Sequence, residues 1–509
     1  MCVECGFARR ARCYGGHILI RGPVVQCDVG APGVVRFASS RRRQSESCWM
    51  DMEALLSAAR THHREGRLDA AEMLYREVIE ACPTHSATCV NLARLLMRRG
   101  GFEDAIRWLK WAAEYAPGDV ETYRFLGLAY ASSKQHARAL DAFCKILEHA
   151  PDDIATLQIV ANLQQELGLT DEAHDTFRRL HRLQPVFPIA ASRNPPDFRV
   201  LMLFAPGAGN TPFEFLISGA SFETMILSVV SGTEHDFERL GGMTDVVVNL
   251  VSDVDLGETA LPNAAHIAER IGRPVVNHPD RIVPTDRESI ARRLDGIAGC
   301  IVPRVRRVST DGLRAARTAS SVADVRFPCL VRPTGKHGGK DFYKVLDAQH
   351  LEGVLRHTDA PNYYVTQFVD YRSPDGYFRK YRFLFVDGEV LPYHLAIGNA
   401  WKVHHATTDM ADHAWMRDEE RAFLADPRHV FDDAQLGALR EIQARIGLDY
   451  FGVDCGIDRE GRVVVFEVNA SMLVHGQNAE FPYKHEAVER IRLAFHAMLE
   501  RKAVRTRAA

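Results

Sequence analysis

Two carboxylates and an amide near the C-terminus are spaced so that they could bind a divalent cation. The stretch Phe451–Met472 reads FGVDCGIDREGRVVVFEVNASM, with Asp454 on one apolar segment and Glu467 and Asn469 on a second. The turn residues Asp458–Gly461 between the segments predict a β-hairpin. Side chains alternate along a strand, so Glu467 and Asn469 share a face and the hairpin places Asp454 opposite them. Oxygen ligands without His or Cys are those that Mg²⁺ prefers. The alternative, two acids on a solvated face, is disfavoured because unpaired charge in an apolar strand is costly.

A second stretch combines glycines with cations in a pattern suited to phosphate. Residues 327–345 read FPCLVRPTGKHGGKDFYKV, in which Arg332 lies on a predicted strand. Glycine lets backbone N–H groups approach phosphate oxygens, and cationic side chains offset their charge. No Gly-Lys-Ser/Thr sequence follows, and the loop leads into a strand, so this is not a Walker A loop. The predicted phosphate-binding loop contains Lys336, His337, Gly338, Gly339 and Lys340.

Together these two stretches resemble the ATP-grasp enzymes, in particular the branch of D-alanine–D-alanine ligase, glutathione synthetase and RimK-like enzymes. The resemblance implies that Asp454, Glu467 and Asn469 hold two Mg²⁺ ions, or Mn²⁺, against ATP. Arg332 stands where the family usually has lysine, and the glycine-rich loop would cover the phosphates.

The same resemblance implies further site residues. The segment YYVTQFVD resembles the strand and hinge that contact adenine, so Gln367, Phe368 and Val369 are expected to bind the base through their backbone. From its place on a predicted strand, Arg382 is expected to meet a phosphate or carboxylate, although a salt bridge within the protein is the alternative. Lys402 is expected near the transferred phosphate from its position in the chain. Asp286-Arg287 falls where relatives often carry a cation near the nucleotide.

The N-terminal part of the chain repeats with a period of 34 residues. Proline, small alanine and glycine positions each recur at this spacing, which is the tetratricopeptide pattern. The concave face of such an array usually binds a protein or peptide; the alternative is that it only packs within the protein. The recurring residues are Pro83, Pro117, Pro151 and Pro185; Ala71, Ala105, Ala139 and Ala173; and Gly66, Gly100 and Gly168, with Lys134 in the fourth glycine position.

Length and composition set the outer limits. The chain has 509 residues, enough for two to four domains, and 46% of them are hydrophobic. The net charge of −3 gives no reason to expect nucleic acid or an acidic membrane as a partner. No uninterrupted apolar run is long enough to span a membrane. We expect a cytoplasmic protein with reduced thiols.

The expected fold is multidomain: an all-α tetratricopeptide superhelix, then an α/β pre-ATP-grasp domain, then an α+β ATP-grasp fold. The expected boundaries place a disordered basic tail or an over-long translation start at 1–50, the repeats at 51–186, a linker at 187–197, the α/β domain at 198–310, the ATP-grasp domain at 311–502 and a tail at 503–509.

The implied activity is ligation of a small-molecule or peptide carboxylate to an amine or thiol, through an acyl phosphate made from ATP. Two alternatives stay open. The protein could be a catalytically weak, nucleotide-binding scaffold, or a small-molecule kinase of the ATP-grasp type.

Overall fold

The computed structural model describes residues 40–207, 209–315, 321–335, 341–403 and 408–508. The chain forms two compact units, Met1–Thr176 and Phe177–Ala509. Among the described residues, no helix is both long and apolar enough to cross a bilayer.

The described part of the first unit consists of consecutive helices. Each helix packs on the next one along the chain from α1 to α7, as expected for stacked helix pairs. The last helix, α8, crosses the boundary between the units. The helices are α1 (Ser40–Arg64), α2 (Leu68–Ala81), α3 (Ser86–Arg98), α4 (Phe102–Tyr115), α5 (Val120–Ser132), α6 (His136–His149), α7 (Ile154–Glu166) and α8 (Thr170–Leu183).

The repeating residues occupy the positions that the period predicts. Ala71, Ala105 and Ala139 are fully buried where paired helices approach closely. The glycine position of each repeat has a positive φ, between 75° and 80° at the three glycines and 59° at Lys134. The chain therefore turns in the left-handed region at all four positions, and one of them is filled by a residue that adopts this region at a cost.

The second unit begins with a five-stranded sheet in the order β1-β3-β2-β4-β5. Strands β2 to β5 are parallel, and β1 pairs antiparallel with β3. The first residues of the predicted linker at 187–197 form part of β1. The elements are β1 (Val186–Ile189), β2 (Arg199–Phe204), β3 (Glu223–Ser228), β4 (Val246–Asn249) and β5 (Val275–Val276), with α9 (Phe237–Gly242), α10 (Val254–Gly257), α11 (Leu261–Ile271) and α12 (Pro279–Ile282).

Two further sheets follow, with strand orders β11-β10-β12-β7 and β14-β13-β15-β16-β6, beside the short pair β8-β9. The elements are α13 (Arg287–Arg293), β6 (Cys300–Ile301), β7 (Val305–Ser309), α14 (Thr310–Ala315), β8 (Ser321–Val322), β9 (Val325–Arg326), β10 (Cys329–Pro333), β11 (Tyr343–Val345), α15 (Ala348–His357), β12 (Asn362–Gln367), β13 (Phe378–Val386), β14 (Glu389–Gly398), α16 (Ala414–Ala425), α17 (Asp433–Ile446), β15 (Tyr450–Ile457), β16 (Val463–Asn469) and α18 (His485–Ala508).

Helices followed by mixed α/β sheets confirm the predicted fold class. The predicted domain boundaries stay predictions, and elements of the structure cross three of them. Strands β6 and β7 pair with β16 and β12, so the end of the segment 198–310 belongs to the later sheets. Helix α1 begins at Ser40, inside the predicted tail at 1–50, and α18 continues to Ala508 through the predicted tail at 503–509. Short strands and frayed basic helix ends carry little sequence signal, which explains these differences.

Strand β13 shows how the last sheet separates its core from its polar face. Tyr381 and Phe383 project into a core with Phe423 of α16 and Phe431, with ring centroids 5.0–5.3 Å apart. Lys380 and Arg382 alternate with them and project from the opposite face. Burial of one face thus fixes the register that brings the cations to the other.

A buried ion cluster fastens α16 to β14. Glu420 has no exposed surface. Its carboxylate accepts hydrogen bonds from His394 Nδ1 at 2.5 Å, Tyr483 Oη at 2.6 Å and the backbone N–H of Leu395 at 3.1 Å. Lys484 Nζ lies 3.1 Å from the same carboxylate. These partners satisfy a charge that would otherwise be expensive to bury.

Replacing Lys134 with glycine should stabilise the protein. The substitution relieves the left-handed conformation of a residue with a Cβ, so we expect a gain of about 1 kcal/mol in the free energy of unfolding. Urea unfolding followed by circular dichroism measures it. The neighbouring Ser133→Gly, where φ is −88°, is the control and should destabilise. Destabilisation by Lys134→Gly would contradict the left-handed conformation of Lys134.

Glu420→Gln should destabilise the second unit by about 3 kcal/mol, because Lys484 would be left buried without its counter-ion. The control is Asp418→Asn, which removes an exposed ion pair with Arg421 on the same helix and should change little.

The destabilisation by Glu420→Gln should also depend on pH. Burial raises the pKa of Glu420, but His394, Lys484 and Tyr483 outweigh it and lower that pKa from 4.5 to about 2. A depressed folded-state pKa stabilises above the unfolded value, and the contribution is lost as the pH falls. The difference between wild type and variant should therefore shrink from pH 4.5 towards pH 2. A difference that stays constant over this range would contradict the charged state of Glu420.

Candidate functional site

Three adjacent strands bring three ionisable side chains into one row. Arg382 on β13 is the cross-strand partner of Asp454 on β15, and Asp454 is the partner of Glu467 on β16. Directly opposed residues of antiparallel strands project from the same face. Asn469 lies two residues beyond Glu467, opposite Gly452. The hairpin that the sequence predicts thus brings Asp454, Glu467 and Asn469 together.

A β-bulge, which the sequence pattern did not reveal, lies within this hairpin. The register shifts between Asp454 and Cys455, and Phe466 is the additional residue on β16. The Phe466 ring packs on Tyr371 with centroids 4.5 Å apart, and it lies over Gly456, where a Cβ would be 2.7 Å from the ring. Bulges redirect side chains and are common beside functional sites.

Asp454 is buried and held by two cations. Arg382 donates from Nε to Oδ1 at 2.6 Å and from Nη2 to Oδ2 at 2.9 Å, and Lys380 Nζ lies 3.1 Å from Oδ2. Burial by itself would raise the pKa of Asp454, but Arg382 and Lys380 hold it well below its usual range. The carboxylate is therefore ionised at any physiological pH. The sequence analysis identified Arg382 but assigned no role to Lys380.

Glu467 is the centre of a second charged group. Arg287, at the start of α13, donates a hydrogen bond to its carboxylate. Burial raises the pKa of Glu467, whereas Arg287 and Arg332 lower it to a net value below normal. Arg332 is only 7% exposed, and burial together with Arg287 lowers its pKa to about 10. The predicted phosphate-binding cation thus lies within electrostatic reach of the predicted metal ligand.

A second row of polar side chains crosses the sheet that contains β10. Arg307 on β7 pairs with Tyr364 on β12, which pairs with Arg332 on β10. Tyr364 Oη lies 3.2 Å from both carboxylate oxygens of Asp255, which belongs to α10 beside the first sheet. Nothing near Asp255 in the sequence signals this contact, because its partner lies 109 residues further along the chain.

Two cavities share Arg287, Glu467 and Val468 in their linings. The first is mostly polar and is also lined by Asn469. The second is lined mostly by apolar side chains. The polar cavity is lined by Ser252, Asp255, Asp286, Arg287, Tyr364 and Ser471, and the apolar one by Val302, Pro303, Val305, Thr366, Phe466 and Val468.

The predicted adenine-contacting segment follows the end of β12. The backbone N–H of Gln367 donates to the Arg304 carbonyl at 2.8 Å, so it already has a partner within the protein. Phe368 lies beneath Lys344 Nζ, 3.5 Å from its ring centroid, and beside Trp401. Val369 is half-buried in the loop beyond the strand.

Of the remaining predicted residues, Lys402 belongs to the described part of the chain. Lys402 Nζ donates to the carbonyl of Phe342 at 3.4 Å. Lys336, His337, Gly338, Gly339 and Lys340 lie outside the described residues.

The donor set fits a hard divalent cation. Asp454 and Glu467 supply carboxylates, and Asn469 supplies an amide oxygen, which accepts hydrogen bonds from the N–H and Oγ of Ser471 at 2.7 and 2.8 Å. Within the described ranges, no group of three or more His, Cys, Asp or Glu side chains is placed to hold a metal. The set matches Mg²⁺, which binds one or two carboxylates and completes its shell with water and phosphate oxygens.

Comparison with known proteins identifies the repeats. Residues 53–85 and residues 90–154 each match a family model described as tetratricopeptide repeat. Human protein O-mannosyl-transferase TMTC1 is 26% identical over 137 residues, which is 26% of this chain and 16% of that protein. The match therefore spans less than a fifth of the length of this curated relative.

Solved structures resemble each part of the chain. MamA from Desulfovibrio magneticus RS-1 is 21% identical, with 26% of this chain and 75% of that chain covered and a TM-score of 0.25. The VanG D-Ala:D-Ser ligase from Enterococcus faecalis is 13% identical, with 60% of this chain and 99% of that chain covered and a TM-score of 0.38.

These structural similarities are low, so the chemistry of the second unit has to be argued from its own residues. The chain combines an N-terminal tetratricopeptide-repeat array with a second unit of mixed α/β sheets.

Proposed function

We propose that the protein is an ATP- and Mg²⁺-dependent ligase of the ATP-grasp type that joins a carboxylate to an amine or thiol, and that its repeats recruit a protein or peptide partner. The observation that carries the proposal is the row of Arg382, Asp454 and Glu467 across three strands, with Arg332 nearby. Carboxylates and arginines that lie this close together support a site for Mg²⁺ and a phosphate group.

The arginines of the site suit the transfer of a negatively charged phosphoryl group from ATP to a carboxylate. Phosphoryl transfer needs positioning and charge stabilisation more than covalent chemistry from the protein. Arg332 and Arg382 would offset charge on the nucleotide and on the acyl phosphate formed from the carboxylate substrate. The Arg382 guanidinium is already oriented by Asp454, which lowers the cost of reorganisation during the reaction.

Asp454, Glu467 and Asn469 would hold Mg²⁺, which would neutralise phosphate oxygens during the transfer. Arg287 would compensate the charge of Glu467 while no metal is bound. The nucleophile would enter the polar cavity beside Asn469, where Asp255 and Asp286 can attract an ammonium group. Displacement of phosphate from the acyl phosphate completes the ligation.

One observation favours a second candidate, a nucleotide-binding scaffold with little turnover. Asp454 is neutralised by Arg382 and Lys380 within the protein, and Arg332 occupies the position of the usual lysine. A site that is electrostatically satisfied without a metal gains less from binding one. Dependence of ATP turnover on added substrates distinguishes the two candidates.

Phosphate release from ATP should require Mg²⁺, an added carboxylate and an added amine, and Glu467→Gln should lower it by at least about a hundredfold. The assay uses pools of amino acids and peptides. The matched control is Glu460→Gln, since Glu460 is an exposed acid in the turn of the same hairpin and pairs only with Arg462 among the ion pairs of the described residues. Turnover that survives in Glu467→Gln would overturn the site assignment, and nucleotide binding without release from any pool would support the scaffold.

Arg332→Lys should retain ATP binding, whereas Arg332→Met should weaken it by about tenfold or more, because the buried cation would be lost. Isothermal titration with ATP and Mg²⁺ measures both affinities. Arg326→Met, at an exposed strand position before β10, is the control. Equal affinities for all three variants would show that Arg332 does not contact the nucleotide.

A further inference from the structure

We propose that the first unit binds an acidic peptide, through a cationic surface formed by the first helices of successive repeats. The inference rests on the recruitment part of the proposed function and does not depend on the ligase chemistry. The surface is here named the arginine face and is defined by Arg60 of α1, Arg94 and Arg98 of α3, and the neighbouring Phe125 and Leu128 of α5.

The arginine face follows from the repeat itself. Arg60, Arg94, Leu128 and Asn162 lie at the 34-residue spacing and so occupy the same place on the first helix of each repeat. The two arginines are exposed, and Leu128 is 38% exposed. At this position the side chain is therefore cationic in the first two repeats, aliphatic in the third and an amide in the fourth.

Contacts between neighbouring helices show that these side chains converge. The Arg94 guanidinium lies 4.9 Å from the centroid of the Phe125 ring on the next first helix. Arg98 Nη1 donates a hydrogen bond to the backbone carbonyl of His63 on α1, the first helix of the preceding repeat, at 3.1 Å. Burial lowers the pKa of His63, and Arg98 and Arg94 lower it further, as expected when both cations are close to it.

The positive charge of this face is weakly compensated. Arg60 lies 3.9 Å from Glu53, and Arg94 lies 3.7 Å from Glu121, and all four side chains are substantially exposed. Exposed pairs at such distances contribute little, so they compete poorly with a partner that brings several carboxylates. Helix α3 itself has no Asp or Glu.

The second helices of the first two repeats are acidic overall. Helix α2 has four acidic residues and one arginine, and α4 has three acidic residues beside one arginine and one lysine. A long polyanion such as RNA would extend to the acidic helices α2 and α4 and be repelled by them. A short acidic peptide can remain on the arginine face. The exposed Leu128 and the ring of Phe125 add a place for one aliphatic or aromatic side chain. We therefore infer a short peptide with several carboxylates and an apolar residue.

Fluorescence anisotropy with the full-length protein tests this inference. The probes are a fluorescein-labelled peptide of glutamates with a central leucine, the same peptide with glutamine in place of glutamate, and a single-stranded oligouridylate of similar length. The glutamate peptide should bind about tenfold or more tightly than the glutamine peptide, and added salt should weaken its binding.

Single charge reversals locate the binding surface. Arg60→Glu and Arg94→Glu should each weaken the glutamate peptide by about tenfold, because each places a like charge on the arginine face. The matched control is Arg107→Glu on α4, an exposed arginine whose carboxylate partner is Asp104. It should leave the affinity unchanged, and circular dichroism confirms that all variants are folded.

Three results would overturn the proposal: equal binding of the glutamate and glutamine peptides, tighter binding of the oligouridylate than of the glutamate peptide, or equal losses in Arg94→Glu and Arg107→Glu. None of these measurements involves ATP. Their failure would therefore leave the ligase proposal intact, and loss of ATP turnover in Glu467→Gln would leave the peptide inference intact.

Discussion

The bidentate pairing of Arg382 with the buried Asp454 is the interaction on which the second unit's candidate site depends. Asp454 lies on a central strand between β13 and β16, where an uncompensated carboxylate would be very costly. Ion pairs with Arg382 and Lys380 offset the cost of burying the Asp454 carboxylate. The pairing of β15 with β16 then places Glu467 beside Asp454. The charged row is therefore a consequence of sheet register, and register in turn depends on the aromatic core on the opposite face of β13.

The same compensation extends beyond one sheet. Arg287 connects α13 to Glu467, and Tyr364 connects the sheet of β10 to Asp255 beside the first sheet. Each link joins a cation or hydroxyl to a carboxylate from a different part of the second unit.

The two units are stabilised by different kinds of contact. The repeat array is held by small buried residues and left-handed turns that recur every 34 residues, so its core is local and its surfaces are free to vary in charge. The second unit is held by pairings between residues far apart in sequence, such as that of β13 with β15.

Much of this protein was determined by sequence alone. The period placed the repeats, and strand alternation with a turn at Asp458–Gly461 placed Asp454 opposite Glu467, because both patterns are local. The expected roles of Arg332 and the hinge came from family resemblance, and that of Arg382 came from its place on the strand. All three are still predictions. Only the tertiary structure revealed the bulge at Phe466, the pairing of Lys380 with Asp454 and the contact between Tyr364 and Asp255. These depend on register and on the approach of distant segments, which no local pattern encodes.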